Sequence, residues 1–152
     1  MDALQQAFKK DRVLDMQALQ IAIGSSAPAT IHRYLKQIDY FTSYTHNGKY
    51  YTIPDIAQFD ENGFWYYGDI GFSVRGTLID TLAYVIKISE SGQTNSELEK
   101  CFRMRIQESL RTLLKSNKIA RKKIDNHNLY VNPDPSKGQQ QIEQRQHVGN
   151  RK

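Results

Sequence analysis

With 152 residues, 39% of them hydrophobic, the chain can build one ordinary domain or two very small ones. Crossing a bilayer takes roughly 18 to 20 apolar residues, and the longest apolar stretch, Leu78–Ile88, is interrupted by Asp80, Thr81 and Lys87, so no span is expected. The net charge of +5 is concentrated in the second half: residues 1–76 carry seven Lys and Arg against eight Asp and Glu, and residues 77–152 carry fourteen against eight.

Apolar residues fall first at Leu4, Ala7 and Phe8, then at Met16, Leu19 and Ile23, then at Ile31, Leu35 and Ile38. Each set is spaced by three or four, which predicts three short helices. The charged stretch Asp11–Asp15 separates the first two. Gly24-Ser25-Ser26-Ala27-Pro28 separates the second from the third, combining a helix-ending glycine, cap-competent serines and a proline suited to a first turn. So tight a junction predicts helix-turn-helix geometry.

The pattern then changes to Tyr40, Phe41 and Tyr44, to His46-Asn47-Gly48-Lys49, and to Tyr50-Tyr51-Thr52-Ile53. Aromatics and threonine favour strand and Asn-Gly favours a hairpin turn, so a β-hairpin wing is expected, ended by Pro54. Residues 55–76 interleave Gly63, Gly68 and Gly71 with Phe59, Phe64, Trp65, Tyr66, Tyr67 and Phe72. They read as an ordered aromatic linker packed between two units, because so much aromatic surface is costly to leave wet.

The second half repeats the order. Leu78, Leu82, Val85 and Ile86 predict a first helix, Thr94-Asn95-Ser96-Glu97 has the capping-box spacing that opens a second, and Ile106, Leu110, Leu113 and Leu114 mark a third. Ile119–Ile124, the turn Asp125-Asn126-His127-Asn128 and Leu129-Tyr130-Val131 then read as strand, turn, strand. Ile31, Leu35 and Ile38 align without a gap on Ile106, Leu110 and Leu113, as an internal repeat does. From Pro133 onward Pro, Gly, Gln, Lys and Arg dominate, which predicts a tail disordered alone, with Gln139–Gln146 able to become helical on a partner.

The expected organisation is therefore α+β and mainly helical: unit one at 1–54, the linker at 55–76, unit two at 77–132 and the polar tail at 133–152.

Lys100–Lys123 holds nine basic residues against the single acid Glu108, a block suited to a phosphate backbone. Opposite the buried face of the second unit's third helix, Arg105, Glu108, Arg111, Thr112 and Lys115 point outward, joined by Arg103 in the preceding turn. Arg suits guanine edges, Glu can accept from cytosine, and Lys meets phosphate. Thr30, Arg33, Lys36 and Gln37 occupy the corresponding face of the first unit. The second hairpin offers Arg121, Lys122 and Lys123 where a wing meets the backbone or minor groove, whereas the first offers only His46 and Lys49. Unit two is expected to supply most of the affinity for double-stranded DNA.

Ala29-Thr30-Ile31-His32-Arg33-Tyr34-Leu35 with its aromatic hairpin resembles the winged helix-turn-helix superfamily of prokaryotic transcription regulators, and Thr94–Val131 resembles the same module. The first unit also resembles the N-terminal domain of antitoxin-type repressors, and the whole is similar to small helix-turn-helix proteins of mobile elements. The resemblance implies sequence-specific DNA binding and transcriptional regulation, with Thr30, Ile31, Arg33 and Leu35 matching a common recognition-helix pattern. Two-fold dimers are common among such regulators, with helix one of either unit available as the seam. Unit one departs from the pattern by its acidic balance, which suits a protein partner, as does the tail. A protein-docking adaptor and a plasmid-type replication initiator are the alternative readings.

No Gly-rich phosphate loop, nucleophile elbow or paired metal ligands occur in the sequence, so neither an enzyme nor a cofactor is expected. Cys101 alone excludes an intrachain disulfide and a multi-cysteine zinc site, and His32, His46, His127 and His147 are scattered. The reduced cysteine and the absence of a leader-like apolar run predict a cytoplasmic location.

Overall fold

The structure, a computed structural model, describes residues 2–150 and the side chains of 3–147. The chain is α+β with small antiparallel sheets, and it divides into two compact units, Met1–Leu78 and Ile79–Lys152. No helix among the described residues is long and apolar enough to cross a membrane.

The first unit runs α1 (Asp2–Asp11), β1 (Leu14–Asp15), α2 (Met16–Ile23), α3 (Pro28–Ile38), β2 (Phe41–Thr42), β3 (Tyr50–Thr52), β4 (Phe64–Tyr67) and β5 (Ile70–Ser73). The Asp15 carboxylate accepts from the Ala18 N–H at 2.9 Å, satisfying one of the free donors at the start of α2. Pro28 occupies the first turn of α3, where its missing N–H costs nothing. The apolar stripe of α3, Ile31 and Leu35, is buried against Leu4, Phe8, Leu19, Tyr51 and Ile53. The three helices predicted from the spacing of three and four are therefore present. The charged break between the first two also holds β1, which pairs Leu14 with Tyr51; a strand of two residues is too short to show a period.

In the three-stranded sheet β3 lies between β1 and β2. The expected Asn47-Gly48 two-residue turn is replaced by a wider excursion through the 3-10 turn His46–Gly48. The segment that follows bonds to this stretch. Residues 55–76, expected as a spacer between units, instead form the β4–β5 hairpin of unit one, with Trp65 opposite Phe72. The Tyr44 N–H donates to the Gly71 carbonyl at 2.9 Å, and the Gly71 N–H donates to Thr45 Oγ1 at 3.0 Å. A side chain at position 71 would place its Cβ 2.7 Å from the Tyr44 ring, so only glycine permits this approach.

The second unit runs α4 (Leu78–Ile88), β6 (Gln93–Thr94), α5 (Asn95–Phe102), α6 (Gln107–Lys115), β7 (Ala120–Ile124), β8 (His127–Val131) and α7 (Pro135–Asn150). The order helix, strand, helix, helix, strand, strand occurs in both units, and in both sheets the last of these strands is central, here as β6-β8-β7. Leu98, Phe102, Ile106, Leu110 and Leu113 are buried, as the aligned apolar positions predict. Asp125 and Asn126 both have positive φ, 50° and 67°, giving the tight turn between β7 and β8.

The tail at 133–152 departs from its expected disorder through position 150; 151 and 152 lie outside the described residues. It forms α7, and Ile142 joins Leu129 and Val131 in an apolar cluster. Gly138 allows the approach, since a Cβ there would lie 2.8 Å from the Asn132 carbonyl oxygen. Gln141, only 5% exposed, secures the helix. Its Nε2 donates to the Ile86 and Ser89 carbonyls at 2.9 and 2.6 Å, and its Oε1 accepts from the Asn132 N–H at 2.6 Å. These bonds satisfy carbonyls at the C-terminal end of α4, which lack helical partners. Composition misleads here because two buried residues and one glycine are enough to dock a helix whose remaining surface stays polar.

Gln141→Leu preserves bulk but leaves those polar groups unpaired, and each buried loss costs about 1–3 kcal/mol. Urea unfolding of the full chain should show a clearly lowered midpoint; an unchanged midpoint would mean that α7 is not held through this residue.

Candidate nucleic-acid interface

The second unit contains a cleft of about 750 Å³. Three pieces of chain converge on it because β8 pairs on both edges. On one edge Thr94 pairs with Leu129, which sets the start of α5 beside the hairpin; on the other, Arg121 pairs with Tyr130 and Lys123 with Asn128. The third wall is α6, whose Gln107, Arg111 and Leu114 recur at the i, i+4, i+7 spacing of one helix face and line the cleft.

Strand alternation divides the basic hairpin. Arg121 lines the cleft with its cross-strand partner Tyr130, and Lys123 shares that face. Lys122 lies between them in sequence and therefore points the other way, on the face where Ala120 and Ile124 pack against Leu129, Val131 and Ile142. The expectation that Arg121, Lys122 and Lys123 act together is corrected accordingly: two share the cleft face and one does not.

Arg111 is exposed and pairs with Glu108 at 2.9 Å, an i,i+3 surface bridge that contributes little and yields readily to a better anion. Thr112 turns its hydroxyl back to the Glu108 carbonyl at 3.1 Å. Glu108, Thr112 and Lys115 form the adjacent exposed row of α6, outside the cleft lining, and Arg105 is exposed in the turn before the helix.

Arg103 occupies the left-handed region at φ 60°, ψ 32°, capping α5. In unit one the matching position, which ends α2, is Gly24 at φ 79°, ψ 30°. The left-handed conformation costs a non-glycine residue roughly 1–2 kcal/mol, so the second unit holds a cation at its turn where glycine would be more stable.

The first unit presents a weaker surface. Arg33, Lys36 and Gln37 are exposed on α3, with Thr30 partly buried. The Arg33 guanidinium lies 5.8 Å above the Tyr34 ring, and Lys49 Nζ lies 5.5 Å from the Tyr50 ring. At the tip of the β2–β3 connection His46 bonds Thr45 Oγ1 and lies 3.6 Å from the Asp69 carboxylate. The β4–β5 hairpin thus brings an acid to the place where a wing would meet phosphate.

No family model matches this chain, and no curated protein or solved structure is significantly similar to it. The cleft is accordingly read from its own chemistry. Among the described residues no group of three or more His, Cys, Asp and Glu side chains is arranged to hold a metal ion. The cleft walls carry the cations Arg111, Arg121 and Arg145 and the hairpin polar groups Asn126, His127 and Asn128.

Sequence reasoning overlooked Gln107, the hairpin tip and Arg145. Gln107 and the tip lie beside residues that were singled out, but Arg145 sits in the segment expected to be disordered and carries no local signal. The single acid of the lining is Glu97, the third residue of α5. Burial pushes its carboxyl up, but the Thr94 N–H and the Arg145 guanidinium together outweigh burial and hold it below the ordinary glutamate value.

A depressed carboxylate contributes stability that is present above its unfolded pKa, near 4.5, and is lost as pH falls through the lower folded value. Glu97→Gln keeps the capping geometry and removes that titration. Its acid unfolding curve should therefore be shallower than that of the unaltered chain below pH 4.5; identical curves would show that the Glu97 contacts do not survive in solution.

Proposed function

We propose that the chain is a sequence-specific double-stranded DNA-binding protein of two tandem winged helix-turn-helix units, acting in transcriptional regulation, with the second unit providing most of the affinity. The observation that carries this reading is the unit-two cleft, where one face of α6, the start of α5 and the cation-bearing face of the β7–β8 hairpin come together. In such a module the third helix enters the major groove and the hairpin reaches the adjacent backbone or minor groove. Arg111 and Gln107 supply donors that suit base edges, while Arg121 in the cleft lining and Lys123 on the same strand face supply phosphate contacts.

Two further observations support the unequal division. Unit two has fourteen Lys and Arg against eight acids while unit one has seven against eight, and the first wing tip faces Asp69. A second reading, a protein-docking role, applies to unit one alone. It is favoured by the charge balance of unit one, seven Lys and Arg against eight acids, which gives little attraction for a phosphate backbone.

Mobility shift on duplex DNA across a salt series tests the proposal. Affinity should fall steeply with salt; Arg111→Ala and Arg121→Ala should each weaken binding by about tenfold, and Arg121→Ala should also flatten the slope by about one unit. Arg33→Ala and Lys49→Ala should cost less than about threefold. A salt-independent response would favour protein docking, and equal losses in the two units would refute the unequal division.

A further inference from the structure

The capping box of α5 creates an electrostatic conflict. The Glu97 N–H donates to Thr94 Oγ1 at 3.2 Å, and Glu97 Oε1 accepts from the Thr94 N–H at 2.9 Å. The fold therefore wants an acceptor at this position, and the acceptor in use is a carboxylate on the wall of the cleft that the proposed function gives to DNA. An uncompensated acid there would repel the phosphate backbone and oppose the cations opposite.

The compensation comes from a residue far away in sequence. Arg145 of α7 donates from Nη2 to Glu97 Oε1 at 2.7 Å, and from Nε and Nη2 to the Ser91 and Gly92 carbonyls at 2.8 and 3.2 Å. Three acceptors fix the guanidinium, a task that suits the rigid fork of arginine. The side chain starts one helical turn beyond Gln141, whose bonds to α4 anchor that face of α7. The helix is thereby positioned to deliver one cation to one carboxylate.

We propose that Arg145 is a positioning residue of the DNA cleft: by neutralising Glu97, the single acid among the described residues lining it, Arg145 converts a wall that would repel the DNA backbone into one that tolerates it. The inference rests on the DNA-binding reading of the same cleft. It assigns α7 a part in binding without requiring Arg145 to touch DNA. A purely structural role for the bridge makes the opposite prediction for the double variant, since removing both partners would then do at least as much harm as removing one.

The test is a mobility shift with the full chain and a short random-sequence duplex at low, fixed salt, with thermal melting of every variant in the same buffer. Arg145→Gln should weaken binding about tenfold, because a bare carboxylate now faces the phosphates. Glu97→Gln should strengthen binding by about threefold, since glutamine can still close the capping box. The double variant E97Q/R145Q should return to within about threefold of the unaltered chain. A double variant as weak as R145Q, or R145Q binding like the unaltered chain, would overturn the inference and leave the DNA-binding reading intact. If R145Q does not fold, E97Q decides: tighter binding supports the inference, and unchanged or weaker binding overturns it. Failure of the unaltered chain to shift the duplex would overturn the DNA-binding reading itself and the inference with it.

Discussion

A strand in the middle of a sheet has to satisfy its backbone on both edges, and β8 does so with partners that come from well-separated parts of the chain. Pairing with β6 is non-local and draws the start of α5 to the base of the hairpin. Pairing with β7 is local and is closed by a turn of two residues with positive φ. The same strand alternates its side chains: Leu129 and Val131 meet Ile142 of α7, while Tyr130 faces the cleft. Two of the cleft's three walls, the start of α5 and the hairpin, are consequences of that one position in the sheet. β3 occupies the equivalent position in unit one.

The two units show how one order of elements can present different surfaces. In unit one, polar groups of the β2–β3 connection are engaged by the β4–β5 hairpin, through Tyr44, Thr45 and Gly71, and its tip is brought beside an acid. In unit two the hairpin closes tightly, its outer edge is free of such an addition among the described residues, and the extra element is a helix on the opposite face. What is appended to each unit after its hairpin thus decides which face remains open. The aromatic hairpin engages the β2–β3 connection it follows, whereas α7 supports the sheet from behind and contributes Arg145 at the edge of the cleft.

Charge at the cleft is governed by the same economy of local and distant contacts. The capping box is local and reads directly from Thr94 and Glu97, because a side chain three residues away can reach the helix-start donors. Its consequence, a carboxylate in a cationic wall, is also local. The remedy is not: Arg145 reaches back over nearly fifty positions to Glu97, and only a docked α7 makes that possible. Burial of Gln141 and Ile142 is what docks it.

Much of the fold was legible because helices and hairpins announce themselves over short windows. Ile31, Leu35 and Ile38, and Ile106, Leu110 and Leu113, repeat with helical spacing, and the buried members of each set form the core side of α3 and α6. The residues of the α6 cleft face were partly legible for the same reason, since a buried stripe defines its opposite. The chain alone therefore determined α1 to α6, the second hairpin and the concentration of cations in the second half, all of which depend on neighbours within a few positions. Tertiary structure decided the rest: that residues 55–76 complete unit one, that Lys122 turns away from Arg121 and Lys123, and that the polar tail becomes α7. Those outcomes depend on which distant backbone groups find partners, such as Gly71 with Tyr44 or Gln141 with Ile86. No short window of sequence contains both members of such a pair.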